Sequence, residues 1–332
     1  MLVTGAGGSI GSELCRQIAQ HSPRLLVLFE RYENALHSLT LELGATFPEV
    51  RILPVIGDVT VPDRVEEIFH QTHPNIVFHA AAHKHVPLME LNPKEAIRNN
   101  ILGTRTVAEA TVTNGVERFV LISTDKAVNP SSIMGATKRV AEHLMQEFNQ
   151  EGLTKFTVVR FGNVLGSNGS VVPLFCEQIR RGGPVTVTHP EIKRFFMTIP
   201  EAVQLVLQAS VIGKGGEVFV LDMGEQIRVA DLARNMIVLA GLVPGRDVEI
   251  VFAGLRPGEK LYEELFEEHE QAEPTSHPKI RRAVGAPVPV GELGAWLESL
   301  QENLPKWSEE RVLDDLRRLV PSYESVLARR TC

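Results

Sequence analysis

Short apolar runs, rich in β-branched residues, alternate with longer amphipathic stretches along most of the chain. This alternation is typical of a parallel β-sheet whose strands are joined by crossover helices. The pattern therefore predicts an α/β fold with a doubly wound parallel sheet. The seven predicted strands are residues 2–4, 25–30, 51–56, 76–79, 118–123, 156–161 and 217–221. Two of the amphipathic stretches are predicted to be long helices, residues 93–114 and 133–149.

The C-terminal half has a looser pattern, with turns rich in glycine, proline and serine at residues 166–170 and 181–184. Such turns are typical of loops that carry function. We therefore predict a first unit over residues 1–165, to which residues 199–222 return. Residues 166–332 are predicted to form mainly a smaller lobe. Two helices with polar faces, around Trp296 and Leu313, are predicted to end the chain.

Composition places the chain among ordinary globular proteins. The 332 residues include 34 Lys and Arg against 41 Asp and Glu, a net charge of −7, with 43% hydrophobic and 23% charged residues. These values exclude a disulfide scaffold, a disordered chain, a collagen and a coiled coil. The acidic balance argues against a nucleic-acid partner, which calls for a basic surface. Cys15, Cys176 and Cys332 are widely spaced and odd in number, which favours reduced thiols in a cytosolic setting.

A glycine-rich segment, Thr4 to Gly11, joins the first predicted strand to the first predicted helix. Glycines at this junction allow a tight turn and let a pyrophosphate sit on the free N–H groups of the helix. A lone glycine pattern is a weak signal, but Glu30 ends the next strand, where a carboxylate would bind ribose hydroxyls. We predict a dinucleotide site with contacts from Gly5, Gly8, Ser9, Ile10, Gly11 and Glu30.

Two further positions bear on the nature of the dinucleotide. Glu30 favours NAD because a carboxylate repels a 2′-phosphate, whereas Arg31 beside it could bind that phosphate in NADP. Asp58 and Val59, at the end of the third strand, are predicted to contact the adenine. The sequence leaves the choice between NAD and NADP open.

A second motif follows the fifth predicted strand. Ser123, Thr124, Asp125 and Lys126 end that strand, and Met134 and Lys138 share one face of the next helix through their i, i+4 spacing. With the glycine turn, this arrangement resembles the extended short-chain dehydrogenase/reductase family, whose helix carries Tyr-x-x-x-Lys. Met134 occupies the tyrosine position.

The departure at Met134 narrows the resemblance to the nucleotide-sugar 4,6-dehydratases of polysaccharide and glycan biosynthesis. The chain most resembles the catalytic domain of the large, often membrane-anchored UDP-N-acetylglucosamine 4,6-dehydratases. Motifs that agree in the same order lie at residues 79–87, 100–104, 123–126, 134–138, 160–164, 193–198 and 256–260. The resemblance implies a Rossmann domain over residues 1–165 and a nucleotide-sugar lobe mainly over residues 166–332.

Dehydration across C5 and C6 of a hexose needs a ketone at C4, a base at C5 and an acid at C6. We assign Lys126 as the C5 base and Asp125 as the C6 acid, which requires a lysine pKa lowered by burial and cationic charge and a carboxyl pKa raised by burial. Thr124 and Lys138 are expected to hold the ribose and the C4 hydroxyl. Because methionine cannot ionise, Thr124, Asp125 or a water must deprotonate that hydroxyl. The structural alternatives to these catalytic roles are that Asp125 and Lys126 form a surface ion pair and that Met134 is a core side chain.

The resemblance also implies contacts outside this motif. Further cofactor contacts are expected at Ala80, Ala81, Ala82, Asn100 and Ser123. Amide and guanidinium groups can hold a uracil edge and a diphosphate. The expected substrate contacts are Lys84, Asn163, Val172, Arg194, Arg256 and Glu259. His79, His83 and His85 lack nearby acidic or thiolate ligands, so we expect no metal.

Partners and competing activities complete the expectations. No apolar run reaches the ~18–20 residues of a spanning helix, so we expect no membrane segment in this chain and a soluble, cytoplasmic domain. The abrupt start in a strand indicates a piece of a longer chain, which could tether this domain to the inner face of the membrane. The family's four-helix interface implies a homodimer or higher homo-oligomer. Two other functions stay open: a nucleotide-sugar epimerase of the same fold and a non-catalytic dinucleotide-binding regulator.

Overall fold

The computed structural model describes residues 1–285 and 292–323. The strands, in chain order, are β1 (Leu2–Thr4), β2 (Leu26–Glu30), β3 (Ile52–Ile56), β4 (Ile76–His79), β5 (Arg118–Ile122), β6 (Lys155–Arg160), β7 (Asn163–Val164), β8 (Val185–Val187), β9 (Lys193–Arg194), β10 (Phe196–Met197), β11 (Val218–Leu221), β12 (Ile227–Arg228), β13 (Ile250–Phe252), β14 (Gln271–Pro274) and β15 (Ile280–Val284).

Helices separate most of these strands. They are α1 (Ser9–Ala19), α2 (Glu33–Thr46), α3 (Pro62–Thr72), α4 (Val86–Leu91), α5 (Pro93–Ile97), α6 (Gly103–Thr113), α7 (Ile133–Glu151), α8 (Val171–Arg180), α9 (Ile199–Ile212), α10 (Val229–Leu239), α11 (Glu292–Asn303) and α12 (Glu309–Leu319). The start of α7 is fixed by Ser132, whose hydroxyl accepts a hydrogen bond from the Gly135 N–H at 3.1 Å. Such a cap satisfies one of the N–H groups that a helix start leaves unpaired.

The main sheet of the described residues has nine strands in the order β14-β15-β11-β6-β5-β4-β1-β2-β3. All seven predicted strands are present and run parallel, which confirms the doubly wound sheet. The run β3-β2-β1-β4-β5-β6 is the order of a dinucleotide-binding Rossmann sheet. Its switch point lies between β1 and β4, where ligands bind at the carboxyl ends of the strands.

Two strands of this main sheet were missed by the sequence pattern, as were the short strands of the three two-stranded sheets. β15 pairs antiparallel with β11, and β14 pairs antiparallel with β15, so the sheet is mixed rather than wholly parallel. Both strands carry mostly exposed side chains, and Pro274 lies within β14. An edge hairpin of this kind buries little apolar surface, and its residues therefore show no strong hydrophobic period.

The predicted helix over residues 93–114 is divided. α5 and α6 are separated by one π-helical stretch, Arg98–Leu102, in which Asn99, Asn100 and Ile101 are buried. Gly103 begins α6 where a Cβ would approach the Val59 side chain to 2.8 Å, so the helix passes close to the loop after β3. Extra residues in a π-helical stretch re-aim side chains and are frequent at functional sites.

Apolar side chains form cores on both faces of the sheet and a third core in a smaller lobe. α5, α6, α7, α11 and α12 bury one face, while α1, α2 and α9 bury the other. The smaller lobe packs α8 and α10 against β8 and β13. Residues beyond 166 thus divide between the lobe and the main sheet, because α9, β11, β14, β15, α11 and α12 all lie with the sheet.

Sequence analysis also made predictions about membrane-spanning helices and about the cysteines. No helix in the described ranges is long and apolar enough to cross a bilayer. Cys15 is buried and Cys176 is exposed, both as free thiols, whereas Cys332 lies outside the described residues.

Candidate functional site

Nine of the predicted nucleotide residues surround a cavity of about 430 Å³ at the switch point of the sheet, and Ser9, Ile10, Gly11, Ser123 and Lys138 line a neighbouring cavity described below. The walls of the first cavity come from the loops after β1, β2, β3 and β4. The lining residues include Gly5, Gly8, Glu30, Arg31, Asp58, Val59, Ala80, Ala81 and Ala82. Because these loops are separated in sequence and meet only through the strand order, the cavity depends on the doubly wound fold.

Glycine is required at two positions of the turn after β1. Gly5 has φ +64°, and a Cβ there would lie 2.7 Å from the backbone nitrogen of Ala81. A Cβ at Gly11 would overlap the carbonyl oxygen of Gly5. α1 begins at Ser9 with no acidic residue in its first turn and no side-chain cap. Within the described part of the chain, this turn therefore presents backbone N–H groups that suit a pyrophosphate.

Glu30 and Asp58 are held by backbone and hydroxyl donors. Glu30 Oε2 accepts a hydrogen bond from the Gly7 N–H, and Oε1 accepts from the N–H groups of residues 31 and 32, each at 2.9 Å. Asp58 Oδ1 accepts from the N–H and hydroxyl of Thr60, and Oδ2 lies 3.6 Å from Arg31 Nη1. Burial alone would raise the pKa of Asp58, but these partners outweigh it and lower the pKa.

Asn100 clamps the loop after β4. Its Oδ1 accepts from the His83 N–H at 2.8 Å, and its Nδ2 donates to the His83 carbonyl at 3.0 Å and to Thr137 Oγ1 at 3.1 Å. The loop it holds contains Ala81 and Ala82, which line the cavity. Sequence analysis assigned the Asn100 side chain to the cofactor, whereas among the described residues its hydrogen bonds hold the loop after β4 and Thr137.

The motif after β5 borders a second cavity of about 550 Å³, which shares Gly8, Ala80, Ala82 and His85 with the first. Asp125–Ala127 forms a 3-10 turn in which the Asp125 side chain is fully buried. Asp125 Oδ1 accepts from Thr124 Oγ1 at 2.9 Å and from Lys126 Nζ at 3.0 Å. Thr124 and Lys126 both line the cavity, so the acidic group is connected to it through two proton-bearing side chains.

The second carboxylate oxygen of Asp125 is unusual. Oδ2 is buried and has no hydrogen-bond partner among the described residues. A Cβ at Gly162, a residue that lines the cavity, would lie 2.9 Å from this oxygen. Buried polar atoms are paired as a rule, and each exception calls for an explanation. Because Gly162 has no side chain, no Cβ at this position crowds Asp125 Oδ2, which lies next to the wall of the 550 Å³ cavity.

Lys126 differs from expectation in its charge state. Its Nζ lies 3.0 Å from Asp125 Oδ1, 3.1 Å from Asn163 Oδ1 and 3.6 Å from Glu263 Oε1. Burial would lower the pKa of Lys126, and Arg194 acts in the same direction, but the two carboxylates outweigh them and raise the pKa. The expectation of a lowered lysine pKa was therefore wrong for the ligand-free chain, because the sequence gives no sign that Glu263 comes near.

Met134 and Lys138 lie on α7 as predicted, and both line the second cavity. Met134 is 3% exposed and also belongs to the hydrophobic core, so both of its expected roles are compatible with its place. Lys138 Nζ donates to the Ile122 carbonyl at 2.7 Å. Burial lowers the pKa of Lys138 to about 8.

The predicted substrate residues gather around a third, smaller cavity of about 120 Å³ next to Lys126. Arg194 is buried, and its Nη2 lies 3.4 Å from Glu259 Oε1. Arg256 is exposed, and its backbone N–H donates to Glu259 Oε2 at 3.1 Å. Asn163, Arg194, Arg256 and Glu259 line this cavity, Lys84 lines the 550 Å³ cavity, and Val172 lies in the first turn of α8.

Sequence analysis missed a buried charge cluster that connects α7 to the segment carrying Glu263. Its members are Arg139, Glu142, Arg160, Glu267 and Glu270. Arg160 is fully buried and contacts Glu142 and Glu270 at 2.7 Å each, and Ser123 Oγ donates to Glu142 at 2.6 Å. Since Ser123 precedes Thr124, the cluster fixes the end of β5. The sequence signal for their burial is that apolar residues flank these charged positions.

Removing the centre of this cluster should destabilise the fold strongly. We expect Arg160→Met to lower the free energy of unfolding by about 3–5 kcal/mol, because Glu142 and Glu270 lose a buried cationic partner. Arg180→Met removes an arginine whose side chain is 76% exposed and should change it by less than about 0.5 kcal/mol. Urea unfolding of both variants at pH 7 measures the difference. Equal losses would contradict a structural role for the cluster.

The acid stability of the chain should depend on the same contact. Burial alone would raise the pKa of Glu142, but Arg160, Arg139 and the Ser123 hydroxyl outweigh it and lower the pKa from 4.5 to about 2. The stabilisation is therefore complete above pH 4.5 and is lost as the pH falls towards 2.

The three histidines of the motif after β4 have separate surroundings. His79 is buried, hydrogen-bonded to Thr4 Oγ1 at 2.7 Å and to Thr104 Oγ1 at 3.0 Å, and burial with the Lys138 charge lowers its pKa to about 3. His83 lies near Arg31, and a Cβ at Gly169 would meet the His85 ring. Residues 1–285 and 292–323 contain no group of three metal-ligating side chains.

Comparison with known sequences gives one family match and several relatives. A family model described as "Polysaccharide biosynthesis protein" matches residues 1–285. The capsular polysaccharide biosynthesis protein CapD of Staphylococcus aureus is 56% identical over 85% of this chain and 47% of its own length. The probable polysaccharide biosynthesis protein EpsC of Bacillus subtilis is 53% identical over 87% of this chain and 49% of its own length. The chain thus spans about half the length of these two relatives. A UDP-glucose 4-epimerase of Rickettsia rickettsii is 36% identical over 82% of this chain and 79% of its own length.

Solved structures share the fold. Pen from Bacillus thuringiensis superimposes with a TM-score of 0.78 at 36% identity, covering 86% of this chain and 89% of that one. The dTDP-glucose 4,6-dehydratase DesIV from Streptomyces venezuelae, solved with NAD and TYD, superimposes with a TM-score of 0.70 at 21% identity. That match covers 80% of this chain and 87% of DesIV.

Proposed function

Because this chain belongs to the polysaccharide biosynthesis protein family, we propose that it catalyses the redox-neutral 4,6-dehydration of a UDP-sugar. The chain is an extended short-chain dehydrogenase/reductase related to nucleotide-sugar epimerases and dehydratases. The proposed substrate is UDP-N-acetylglucosamine, and the product is UDP-2-acetamido-2,6-dideoxy-4-hexulose. The reaction would supply a deoxy-keto sugar for glycan or polysaccharide biosynthesis.

One observation carries the proposal: an acid and a base are adjacent beside a cavity that meets the dinucleotide turn. Asp125 and Lys126 are 3.0 Å apart, and Asp125 Oδ2 is buried without a partner among the described residues. A dehydration needs two protein groups that transfer protons, one at C5 and one at the C6 oxygen, whereas a hydride transfer alone needs only one. The adjacent pair supports the two-proton reaction.

The residues of the 430 Å³ cavity fit a dinucleotide. Side chains at Gly5 and Gly11 would clash with the backbone that shapes this cradle, and the turn offers N–H groups to a pyrophosphate. Asp58 and Val59 would hold the adenine, and Glu30 would face the ribose. NAD bound here would supply the hydride acceptor at C4 and the hydride donor at C6. We propose NAD because Glu30 places a carboxylate in this cavity, with NADP as the alternative that Arg31 allows.

The chain's own residues would then move four protons. A group near Thr124 takes the proton of the C4 hydroxyl, and the ketone formed acidifies the C5 hydrogen. Lys126 removes the C5 proton, and Asp125 donates a proton to the departing C6 oxygen, so that water leaves; a proton returns to C5 when hydride reaches C6. Before the elimination Lys126 must become a neutral amine and Asp125 a carboxylic acid, because the structure holds them as an ion pair.

Met134 leaves the first proton without its usual acceptor. Thr124 Oγ1 already donates to Asp125 Oδ1, which gives a path from the C4 hydroxyl through Thr124 to the carboxylate. Lys138, with its pKa lowered to about 8, provides a positive charge beside that path without holding its proton tightly. Met134 would contribute shape and exclude water.

Substrate recognition would use the third cavity. Arg194 and Arg256 can bind a diphosphate, and Asn163 can bind a uracil edge or a sugar hydroxyl. The Glu259 carboxylate contacts the guanidinium of Arg194 and accepts a hydrogen bond from the backbone N–H of Arg256. Lys84 and Val172 are proposed to complete the sugar pocket. The roles of Asn163, Arg194, Arg256 and Glu259 rest on the family resemblance together with their place around the cavity, and those of Lys84 and Val172 rest on the resemblance.

A 4-epimerase is the second candidate, since one relative is named UDP-glucose 4-epimerase. Epimerisation removes and returns hydride at C4 and needs no acid at C6. The Asp125 and Lys126 pair therefore favours dehydration. Incubating the protein with UDP-N-acetylglucosamine and following the sugar signals by NMR separates the two: loss of the C6 hydroxymethyl signals marks dehydration, and inversion at C4 alone marks epimerisation.

Isotope transfer tests the redox-neutral course. We expect UDP-N-acetylglucosamine deuterated at C4 to give product with deuterium at C6 and no net NADH, because the hydride returns within the same active site. NMR of the product and NADH absorbance are measured in one reaction. Substrate deuterated at C2 is the control and should give no deuterium at C6. Stoichiometric NADH would contradict the proposal and favour a dehydrogenase.

The proposal extends to assembly and location. By the family resemblance, we propose a homodimer or higher homo-oligomer formed through the part of the helical layer of residues 93–114 and 133–149 that α11 and α12 leave uncovered. The same resemblance supports a cytoplasmic domain. Size-exclusion chromatography with light scattering tests the first point.

A further inference from the structure

We propose that Glu263 is a positioning residue of the active site that acts through Lys126, holding its ammonium between Asp125 and Asn163 and keeping a proton on it in the ligand-free protein. The inference rests on the proposed function for its catalytic meaning. Its structural part, the control of one lysine by one glutamate from a distant segment, can be measured without turnover.

The first support is the place of Glu263. It is 3% exposed, and its Oε1 lies 3.6 Å from Lys126 Nζ and 3.5 Å from Arg194 Nε. Its Oε2 is buried and has no hydrogen-bond partner among the described residues. Both Glu263 and Lys126 line the 120 Å³ cavity. A buried, half-satisfied carboxylate is costly for folding alone, which points to a role in the site.

The second support is how the chain secures this glutamate. Four residues later, Glu267 accepts from Arg139 Nη2 at 2.7 Å, and Glu270 binds Arg160. Arg139 lies on α7, the helix that carries Met134 and Lys138. The buried charge cluster therefore fixes the segment of Glu263 to the helix and strand of the proposed catalytic groups. Anchoring of this kind limits how far the backbone of Glu263 can move away when its partner changes charge.

The charged groups that face Lys126 determine the direction of the effect. Asp125 of its own turn and Glu263 favour the ammonium, whereas Arg194 from β9 and burial oppose it, and Asn163 is neutral. The base must be neutral to accept the C5 proton. Moving the proton from Lys126 Nζ to Asp125 Oδ1, 3.0 Å away, would turn the ion pair into a neutral amine and a carboxylic acid. Glu263 opposes this transfer electrostatically and so governs how much of the reactive pair exists.

The experiment measures the titration of Lys126 directly. Trace acetylation by acetic anhydride across a series of alkaline and neutral buffers, read by mass spectrometry of the peptide containing Lys126, gives its apparent pKa. We expect Glu263→Gln to lower that pKa by at least about one pH unit, because one of two facing carboxylates loses its charge. Glu268→Gln, on the same segment and exposed, makes the same change in net charge and should leave the titration unchanged.

Turnover supplies the second measurement. The acid limb of kcat/KM against pH should move to lower pH in Glu263→Gln by the same amount as the labelling pKa, since more of the neutral amine is present. A merely structural role would lower activity at every pH without moving the limb. Glu263→Asp, which keeps the charge but withdraws it by one methylene, should titrate between the wild type and Glu263→Gln.

The outcomes are distinct. A folded Glu263→Gln with the wild-type Lys126 titration would overturn the inference. If Glu263→Gln does not fold, Glu263→Asp decides, and a titration identical to wild type would overturn it equally. If no variant, including the wild type, converts a nucleotide sugar, the proposed function fails while the labelling still tests the control of Lys126 by Glu263.

Discussion

Replacing Lys126 by alanine should slow dehydration at least ~100-fold while the protein still binds NAD, because a general base contributes about that factor or more. Lys84 and Lys138 also line the 550 Å³ cavity beside Lys126. We do not expect either to replace the base, because Lys138 donates to the Ile122 carbonyl and Lys84 lies on another loop, the one after β4. Cofactor binding should survive because the 430 Å³ cavity is built from the loops after β1 to β4 and does not include Lys126. Steady-state turnover, with bound cofactor determined by absorbance after denaturation, measures both.

Exchange at C5 gives the sharper measurement. In D2O the wild type should place solvent deuterium at C5, and Lys126→Ala should lose this exchange along with turnover. Lys214→Ala removes an exposed lysine far along the chain and should behave as wild type. Because Lys126→Ala leaves Asp125 and Glu263 without a common cation, its thermal midpoint is measured alongside. Near-normal turnover in a folded Lys126→Ala would remove Lys126 from the role of base.

Asp125→Asn should abolish product formation, whereas Met134→Leu should keep most of the activity. An amide cannot give a proton to the C6 oxygen, and the change to asparagine also removes the ion pair with Lys126. Met134→Leu nearly conserves volume in a core position and should cost less than about 1.5 kcal/mol of folding stability. Single-turnover experiments that follow NADH absorbance and product together compare the two variants.

The two signals separate two roles of Asp125. If Asp125 serves only at C6, hydride transfer from C4 survives in Asp125→Asn and NADH forms transiently without product. If Asp125 also receives the C4 proton through Thr124, no NADH forms. An active Asp125→Asn beside an inactive Met134→Leu would reverse our assignment, since the proton transfers would then depend on the shape of the site near α7 rather than on the carboxylate.

Much of the fold follows from local sequence pattern. Six of the seven parallel strands are short, mostly buried runs, and strands buried on both faces leave continuous apolar segments that are easy to find; β3, at the edge, is apolar in sequence although only Val55 is buried. β14 and β15 escaped because this hairpin at the edge of the sheet carries mostly exposed side chains and includes Glu273 on β14 and Arg281 and Arg282 on β15. The π-helical stretch Arg98–Leu102 escaped for a different reason: its hydrophobic period is nearly that of an α-helix, so the pattern does not mark where the backbone hydrogen bonding changes.

The site was predictable where its residues follow strands directly. The glycine turn and the residues from Ser123 to Lys126 are contiguous motifs at strand ends, and the topology brings them together. Glu263 was not predictable, because its contact with Lys126 depends on how a loop far along the chain crosses the carboxyl edge of the sheet. The charge state of Lys126 was therefore mistaken as well, since a pKa depends on neighbours in space rather than in sequence.

The two C-terminal helices bear on how this domain is joined to others in nature. The family match ends at residue 285, yet α11 and α12 close the hydrophobic core over α5 and α7 with residues that include Trp296, Leu300 and Leu316. The described residues beyond 291 therefore act as a cover for the catalytic helix rather than as a tail. A natural fusion or exchange that kept only the shared 285 residues would have to bring a substitute apolar surface of its own.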